Sequence, residues 1–491
     1  MTSPRIETAI EGLDAILGGG LPADRLYLVE GDPGTGKTTL ALQFLLAGAR
    51  GGEPAVYVTL SETNDELRDV AESHGWSLDG VTIHELSSDV SLRADTQYTV
   101  FHPSEVELGD TINTVLQTLE RVRPRRVVFD SLSEMRLLAR DPLRYRRQIL
   151  ALKQFFVGHD CTVLLLDDRT AAGGDLQLQS LAHGVVRLET LLPEFGGARR
   201  RLRIMKLRGV AYTDGYHDYI IRTGGLEVFP RLVAAEHGVT FAKETVSSGV
   251  AALDTLVGGG LSHGTTTLIM GPAGSGKSLV ASHFVHEAVS HGDHAAVFIF
   301  DEGVGTYFGG TKGVGLDMQR LADAGRLTVQ QIDPAELSPG EFVARVRDTV
   351  ERHNARVIMI DSLNGYLNAM PEERLLSLHL HELFSYLRQR GVVTISVMSQ
   401  QGMLGQMVTP IDVSYLADAV ILLRFFEADG TVRKAISMVK RRAGTHEASI
   451  RELRISSAGI DVGEPLTGFR GILTGVPAFE PRRANDGGDA R

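Results

Sequence analysis

Short apolar runs alternate with longer amphipathic stretches along most of this chain. The run Leu26–Val29 precedes a glycine-rich loop, and the stretch Thr38–Gly48 then carries Leu42, Leu45 and Leu46 three or four residues apart. That spacing predicts a helix, and uninterrupted apolar runs are typical of strands in a parallel sheet that is covered on both faces. Further runs of this kind are Ala55–Leu60, Arg126–Phe129, Thr162–Leu166, Ala295–Phe300, Val357–Ile360 and Val392–Val397.

The same order of elements occurs twice. Residues 12–22 read GLDAILGGGLP and residues 252–262 read ALDTLVGGGLS. Later, VVFDSL at 127–132 is matched by IMIDSL at 358–363. A repeat of this length indicates two homologous domains rather than a short-period solenoid.

We therefore predict an α/β fold class, with two tandem domains that each contain a mostly parallel sheet between two layers of helices. The segments 201–207 and 216–229 read as hairpin strands, which would add antiparallel edge strands. The predicted bounds are 1–237 for the first domain, 238–478 for the second and 479–491 for a disordered polar tail.

Two glycine-rich loops indicate phosphate binding. Gly31–Thr38 fits the pattern Gly-x4-Gly-Lys-Thr, and Gly271–Ser278 fits the serine version. Glycines let backbone N–H groups surround phosphate oxygens, the lysine reaches the β- and γ-phosphates, and the last hydroxyl ligates Mg²⁺. The sequence thus predicts ATP and Mg²⁺ as cofactors. The predicted contacts are Gly31, Gly34, Thr35, Gly36, Lys37, Thr38 and Thr39, and Gly271, Gly274, Ser275, Gly276, Lys277, Ser278 and Leu279.

Acidic residues follow several of the predicted strands. Asp130 and Asp361 each end an apolar run, where a carboxylate can hold the water shell of Mg²⁺. Glu62 in the first half, and Asp301 with Glu302 in the second, are candidates for orienting the water that attacks the γ-phosphate. For all five residues the alternative is an ordinary strand-end acid in a turn or in solvent.

Two pairs of cations occupy late strands. Lys206 and Arg208, and likewise Lys440 and Arg442, stand at alternate positions and therefore point to one face. Such a pair could reach the γ-phosphate of a neighbouring subunit. Spacing alone favours the alternative of a solvated basic edge that discourages unwanted strand pairing.

Composition narrows the class of protein. Of 491 residues, 43% are hydrophobic and 23% charged, which fits a globular chain of more than one domain. Fifty basic residues against 61 acidic ones give a net charge of −11, so nucleic acid is not an expected partner. With Cys161 as the only cysteine, an intramolecular disulfide is excluded. No stretch approaches 18 apolar residues, and we expect a cytoplasmic protein without a membrane partner.

Taken together, the doubled GGGL-loop-helix pattern, the DSL after a strand and the KLRG and KRRAGTHE segments resemble the KaiC family of RecA-type ATPases, over roughly residues 5–478. The resemblance implies RecA-like domains, a hexamer in which ATP lies between neighbouring chains, and a regulatory protein partner. It also implies that Lys206, Arg208, Lys440 and Arg442 act in trans. In the family, the first half hydrolyses ATP and the second half can phosphorylate its own serine and threonine.

This chain departs from the family pattern at three places. The family carries two consecutive glutamates after the second strand, and here Ser61 replaces the first of them, while Asp301 is one methylene shorter in the second half. The phosphorylated serine-threonine pair falls on Ser414 and Tyr415, so Ser414 is the one phosphoacceptor candidate. A plain turn serine is the alternative. The tail beyond residue 478 carries no sign of a partner-binding helix.

Three functions remain open on the sequence. The expected one is a ring ATPase and serine/threonine autokinase that signals through phosphorylation or nucleotide state. The alternatives are a nucleotide-gated scaffold with weak hydrolysis, which Ser61 favours for the first half, and a DNA-dependent motor on the same core.

Overall fold

The computed structural model describes residues 4–86, 103–139, 141–169, 176–193, 196–368, 373–400, 402, 413–442, 444–473 and 478–479. The chain divides into two compact units, Met1–Arg231 and Leu232–Arg491. Leu232 and Ala234 are buried in a core cluster of the second unit. Phe479 lies in a short strand, and the rest of the predicted tail, 480–491, lies outside the described residues.

The first unit contains strands and helices in alternation. Its strands are β1 (Arg5–Ile6), β2 (Leu21–Pro22), β3 (Leu26–Gly31), β4 (Ala55–Thr59), β5 (Val81–Glu85), β6 (Arg126–Asp130), β7 (Thr162–Asp168), β8 (Gly184–Leu191), β9 (Arg199–Leu207), β10 (His217–Arg222) and β11 (Gly225–Phe229). Its helices are α1 (Glu11–Ile16), α2 (Lys37–Arg50), α3 (Asn64–Ser73), α4 (Pro103–Val122), α5 (Leu132–Ala139), α6 (Pro142–Val157) and α7 (Leu176–Leu181).

The second unit repeats this order after a 3₁₀ turn at Ala234–Glu236. Its strands are β12 (Thr245–Val246), β13 (Leu261–Ser262), β14 (Thr266–Gly271), β15 (His294–Ile299), β16 (Leu327–Gln331), β17 (Ala355–Asp361), β18 (Val393–Ser399), β19 (Ala419–Ala428), β20 (Thr431–Arg441), β21 (Ile450–Ser456), β22 (Gly459–Pro465), β23 (Phe469–Arg470) and β24 (Ala478–Phe479). Its helices are α8 (Ala251–Val257), α9 (Lys277–Ser290), α10 (Val304–Lys312), α11 (Met318–Asp323), α12 (Pro339–Arg352), α13 (Leu363–Asn368) and α14 (Glu373–Gln389).

Each unit is built on a nine-stranded sheet of the described residues. The first has the order β11-β10-β9-β8-β3-β7-β6-β4-β5, and the second has the order β16-β15-β17-β18-β14-β19-β20-β21-β22. In these orders the strands from β8 to β5 are parallel, as are those from β16 to β19. The remaining three strands of each sheet, β9 to β11 and β20 to β22, pair antiparallel. The predicted fold class is confirmed.

The apolar runs are continuous because both faces of each sheet are covered. In β3, Tyr27 and Val29 belong to the core cluster beneath α1 and α2, whereas Leu26 and Leu28 belong to the cluster beneath α5 and α6. Successive strand residues point to opposite faces, so two apolar faces require an uninterrupted run. Within the described residues, no helix has both the length and the apolar character needed to cross a membrane.

Candidate functional site

The glycine-rich segment after β3 forms a loop that ends at the first residue of α2. Gly34 and Gly36 have positive φ angles of 79° and 89°, which glycine adopts without strain. A Cβ atom at Gly36 would lie 2.6 Å from Ile221 Cδ1, whereas one at Gly34 would meet nothing within 4 Å. The loop is packed against the fold on one side and open on the other, where a phosphate group can approach.

The loop after β14 has the same construction. Gly274 and Gly276 have φ angles of 76° and 99°. The buried Ser275 hydroxyl donates to the carbonyl oxygen of Pro272 at 2.8 Å, and Thr35 makes the corresponding bond in the first loop. Two loops with the same backbone and the same internal bond indicate two sites of one kind.

Each loop lysine is the first residue of a helix, and both lysines are buried. Lys37 Nζ donates to the carbonyl oxygens of Gly31 at 2.9 Å and Asp32 at 3.1 Å. Lys277 Nζ donates to the carbonyl oxygen of Pro272 at 2.8 Å. The helix N-termini add further N–H donors beside these ammonium groups, which favours an anion. The other predicted contacts, Thr38, Thr39, Ser278 and Leu279, follow in the first turns of α2 and α9.

Asp130 ends β6 and lies close to the first loop. Its Oδ2 accepts a hydrogen bond of 2.5 Å from the buried Tyr57 hydroxyl. Burial raises the pKa of Asp130, and the Tyr57 bond opposes that rise. The tyrosine thus fixes the carboxylate at the end of β6.

Asp361 has the corresponding place at the end of β17. Burial raises the pKa of its carboxyl group, and the nearby Ser278 hydroxyl opposes that rise. Its Oδ2 is buried and has no hydrogen-bond partner among the described residues. Burial lowers the pKa of Lys277, an effect that Asp361 and Asp301 oppose.

Glu62 follows β4 and is half-buried. Its N–H donates to Thr59 Oγ1 at 2.9 Å, which fixes the turn at the strand end. Burial, with a smaller contribution from Asp130, raises the pKa of Glu62 to about 7. Its Oε2 is buried without a partner among the described residues. A carboxyl group that titrates near neutral pH suits the removal of a proton from water. Ser61, beside it, is exposed.

Asp301 and Glu302 follow β15 in the second unit. Asp301 is exposed and accepts a hydrogen bond from the Ser362 hydroxyl. Glu302 is half-buried, and its pKa is raised by burial and by the nearby charges of Asp361 and Asp301. The second site therefore gathers three carboxyl groups near its loop lysine.

The residues of both sites fit a magnesium nucleotide. The open side of Gly34 admits a phosphate, and the unpartnered oxygens of Glu62 and Asp361 can accept bonds from water or a cation. Within the described part of the chain, no three His, Cys, Asp or Glu side chains are grouped to hold a metal ion by themselves. Mg²⁺ would therefore depend on the Thr38 or Ser278 hydroxyl, the strand-end aspartate and the phosphates.

The two candidate trans-acting lysines make the same backbone contact in both units. Lys206 Nζ donates to the carbonyl oxygen of Gln179 at 2.6 Å, and Lys440 Nζ donates to that of Ser414 at 2.8 Å. Burial, together with Arg208 and Lys153, lowers the pKa of Lys206. Each lysine therefore holds the segment that precedes β8 or β19.

The two arginines lie one residue beyond β9 and β20, so the prediction that places them on strands is wrong by that residue. Arg208 Nη2 donates to the carbonyl oxygen of Ser180 at 2.8 Å, and Arg442 Nη2 donates to that of Tyr415 at 2.6 Å. Both arginines are exposed beside the lysines. Each arginine therefore donates to the same segment as the lysine of its pair.

The two lysines are displaced along the strands from the phosphate loop of their own unit. Lys206 pairs with Val185, which pairs with Leu28, three residues before Gly31. Three residues of strand span about 10 Å. Lys440 has the same register through Val420 and Leu268 in the second unit.

Sequence reasoning missed two residues of the first site. Tyr57 looked like an ordinary core position of β4, and the second unit has Val297 there. Asp168 ends β7, and its Oδ1 lies 2.7 Å from Lys37 Nζ. The signal for Asp168 was the pair of aspartates that closes the apolar run after Thr162.

Comparison with known proteins identifies the family to which these two sites belong. A sequence model of the KaiC ATPase family matches residues 6–233 and again residues 246–467. The chain belongs to the KaiC family. This confirms the resemblance inferred from the sequence. It also confirms the predicted P-loop ATPase fold family and nucleotide binding as a property of that family.

Curated KaiC relatives align with almost the entire chain. The circadian clock protein KaiC3 of Synechocystis is 26% identical over 481 residues, which cover 97% of this chain and 95% of the relative. The circadian clock oscillator protein KaiC of Synechococcus elongatus is 28% identical, with 96% and 92% covered. That of Acaryochloris marina is 27% identical, with 96% and 91% covered. The alignments therefore span both of the repeats that the family model matches.

Proposed function

We propose that both phosphate loops bind Mg-ATP and that the protein hydrolyses it. The observation that carries this proposal is the arrangement around Lys37, where an open glycine loop, a buried strand-end aspartate and the half-buried Glu62 converge. Lys37 would hold the β- and γ-phosphates, and bound Mg²⁺ would neutralise their charge. Glu62 would orient the attacking water and take its proton.

In the second site, Asp301 and Glu302 would share the role of Glu62. Glu302 is the better base because burial and its acidic neighbours raise its pKa. Lys277, Ser278 and Asp361 would bind the phosphates and Mg²⁺ as their counterparts do in the first site.

The proposed assembly is a hexamer with ATP at the subunit interfaces. Lys206 and Lys440 stand about 10 Å along the sheet from their own loops, so they are poorly placed for the nucleotide of their own unit. With Arg208 and Arg442 they would instead contact the nucleotide of the neighbouring subunit. A regulatory protein partner and a cytoplasmic location belong to the same proposal.

Autophosphorylation of Ser414 in trans is the finer part of the proposal. Ser414 is half-buried, and its carbonyl oxygen binds Lys440, so the residue lies at the same end of the sheet as the trans-acting cations. The serine oxygen would bond to the γ-phosphorus while the bond to ADP breaks, and Glu302 of the neighbouring chain would take the serine proton.

The first unit supplies a matched control. Its counterpart of Ser414 is Gln179, whose carbonyl oxygen binds Lys206 in the same way. The Gln179 amide donates to the carboxylate of Glu30 and offers no hydroxyl. Phosphorylation is therefore expected at Ser414 and not at the equivalent position of the first unit.

Phosphopeptide mass spectrometry after incubation with Mg-ATP tests the kinase proposal. We expect phosphate on Ser414, its loss in Ser414→Ala and in Lys277→Ala, and its retention in Lys37→Ala. Hydrolysis without any phosphopeptide would leave the ATPase proposal standing and refute the kinase proposal.

Two observations bear on the alternatives. Exposed Ser61 in place of an acid favours a scaffold with weak hydrolysis for the first unit. Assembly that persists without nucleotide would count against the scaffold.

The basic segment at the start of β9 is partly neutralised, because Arg201 pairs with Glu189 and Arg203 with Asp214. This argues against a DNA-dependent motor, and unchanged ATP turnover with single-stranded DNA is expected.

A further inference from the structure

Asp168 is an acid at the first phosphate loop to which the proposed hydrolysis assigns no role. Sheet register places it directly beside Gly31, the first residue of the loop. Its Oδ1 lies 2.7 Å from Lys37 Nζ, and the side chains of Lys37 and Asp168 are 9% and 29% exposed. This is an ion pair largely shielded from water, in which a charge-assisted hydrogen bond is stronger than at the surface.

The strand end that carries Asp168 is held in place. The Asp168 N–H donates to Ser133 Oγ at 3.0 Å, and this hydroxyl lies 3.4 Å from Asp168 Oδ2. Ser133 is itself buried near the start of α5. The carboxylate is thus presented to Lys37 by two packed elements.

The second unit lacks this carboxylate. Register places Ser399 beside Gly271, in the position of Asp168. Among the described residues, no carboxylate oxygen lies within 4.0 Å of Lys277 Nζ. The two loops of one chain therefore differ in what their lysine must release.

The Lys37 ammonium group has three N–H donors and three acceptors, which are Gly31 O, Asp32 O and Asp168 Oδ1. A phosphate oxygen can bind Lys37 only by displacing one of them. If the displaced group is Asp168, its carboxylate stays next to the incoming phosphates and repels them.

We propose that Asp168 is a positioning residue that competes with nucleotide phosphate for Lys37 and so weakens ATP binding at the first site. The inference rests on the proposed binding of ATP by both loops. The first site should therefore need a higher nucleotide concentration for half-occupancy than it would without Asp168, whereas Ser399 leaves the second site free of this competition.

The test measures the dissociation constant of a fluorescent ATP analogue with Mg²⁺ in the full-length Lys277→Ala protein, where the first site alone keeps its lysine. Asp168→Ser, which copies the second unit, is expected to tighten binding roughly three- to tenfold, the range for a partly shielded ion pair. Asp168→Asn should act in the same direction, and Asp168→Glu should restore weak binding. The gain should shrink at high salt.

The reciprocal change excludes a general packing effect. In the Lys37→Ala protein, Ser399→Asp should weaken binding at the second site by a similar factor. Unchanged or weaker binding in Asp168→Ser and Asp168→Asn would overturn the inference, as would a loss of turnover with an unchanged dissociation constant. Absence of binding in the Lys277→Ala parent itself would count against nucleotide binding by the first loop, and not against competition by Asp168.

Discussion

A buried ion pair directly before the first phosphate loop offers a test of how this sheet is stabilised. Glu30 in β3 is 5% exposed and accepts hydrogen bonds from Arg187 Nε at 2.6 Å and from Gln179 Nε2, which lies 3.2 Å from Oε1 and 3.0 Å from Oε2. Arg187 Nη2 lies 2.5 Å from Glu30 Oε1, and the arginine side chain is 22% exposed. Truncation of one partner would leave the other charge shielded from water and unpaired.

The expected cost follows from that burial. Removal of one partner of a buried ion pair costs about 3–5 kcal/mol, and the partial exposure of Arg187 places Glu30→Ala at about 2–4 kcal/mol. The second unit has Met270 and Leu422 in the same register. The double variant Glu30→Met/Arg187→Leu copies that apolar pair. Its free energy of unfolding should lie within about 1 kcal/mol of that of the unchanged protein.

Hydrogen exchange in urea, followed at the β3 amides of the full chain, separates the first unit from the second, which a single global transition would not. The ion-pair explanation would be refuted if the double variant lost as much free energy of unfolding as Glu30→Ala and Arg187→Ala lose together. A Glu30→Ala cost below about 0.5 kcal/mol, the range of an exposed pair, would refute it too.

Three further predictions follow from pKa shifts and buried bonds. Burial lowers the pKa of His217 to about 4, so between pH 6.5 and 4 the unfolded chain binds more protons than the folded chain. The free energy of unfolding should therefore fall by roughly 2–3 kcal/mol over this range. Urea titrations of His217→Gln should show a smaller dependence on pH. The pKa of Glu62 is raised to about 7, and a general base must be deprotonated, so turnover of the Lys277→Ala protein should rise with pH through 7. Adding Glu62→Gln to that protein should remove both this rise and most of the rate. Tyr57→Phe deletes the 2.5 Å bond to Asp130, so the pKa of Asp130 should rise further. The Mg²⁺ concentration for half-maximal turnover should then increase several-fold. An unchanged Mg²⁺ requirement would show that Asp130 does not help to bind the metal.

The phosphate loops were predictable because their geometry is local. Gly34, Gly36 and Lys37 lie within four residues, and the backbone they need is written in the glycine spacing. The fold class was predictable for a similar reason, since uninterrupted apolar runs require a sheet covered on both faces.

Residues that act through sheet register were not predictable from one sequence. Asp168 reaches Lys37 only because β7 pairs with β3, and the apolar run before it would look the same in another register. The lysines proposed to act in trans, Lys206 and Lys440, are preceded by β-bulges at Met205 and Val439, which shift the alternation of side chains at the strand end. Their partners are backbone carbonyl groups, which leave no trace in residue type.

The measurement that tests the central claim most directly is Mg-ATP turnover by the full-length protein and by three variants, Lys37→Ala, Lys277→Ala and the double variant. Two independent hydrolytic loops predict that each single variant keeps part of the turnover and that the double variant loses it. A double variant that hydrolyses ATP at the original rate would contradict the account, because the chemistry would then lie outside both loops.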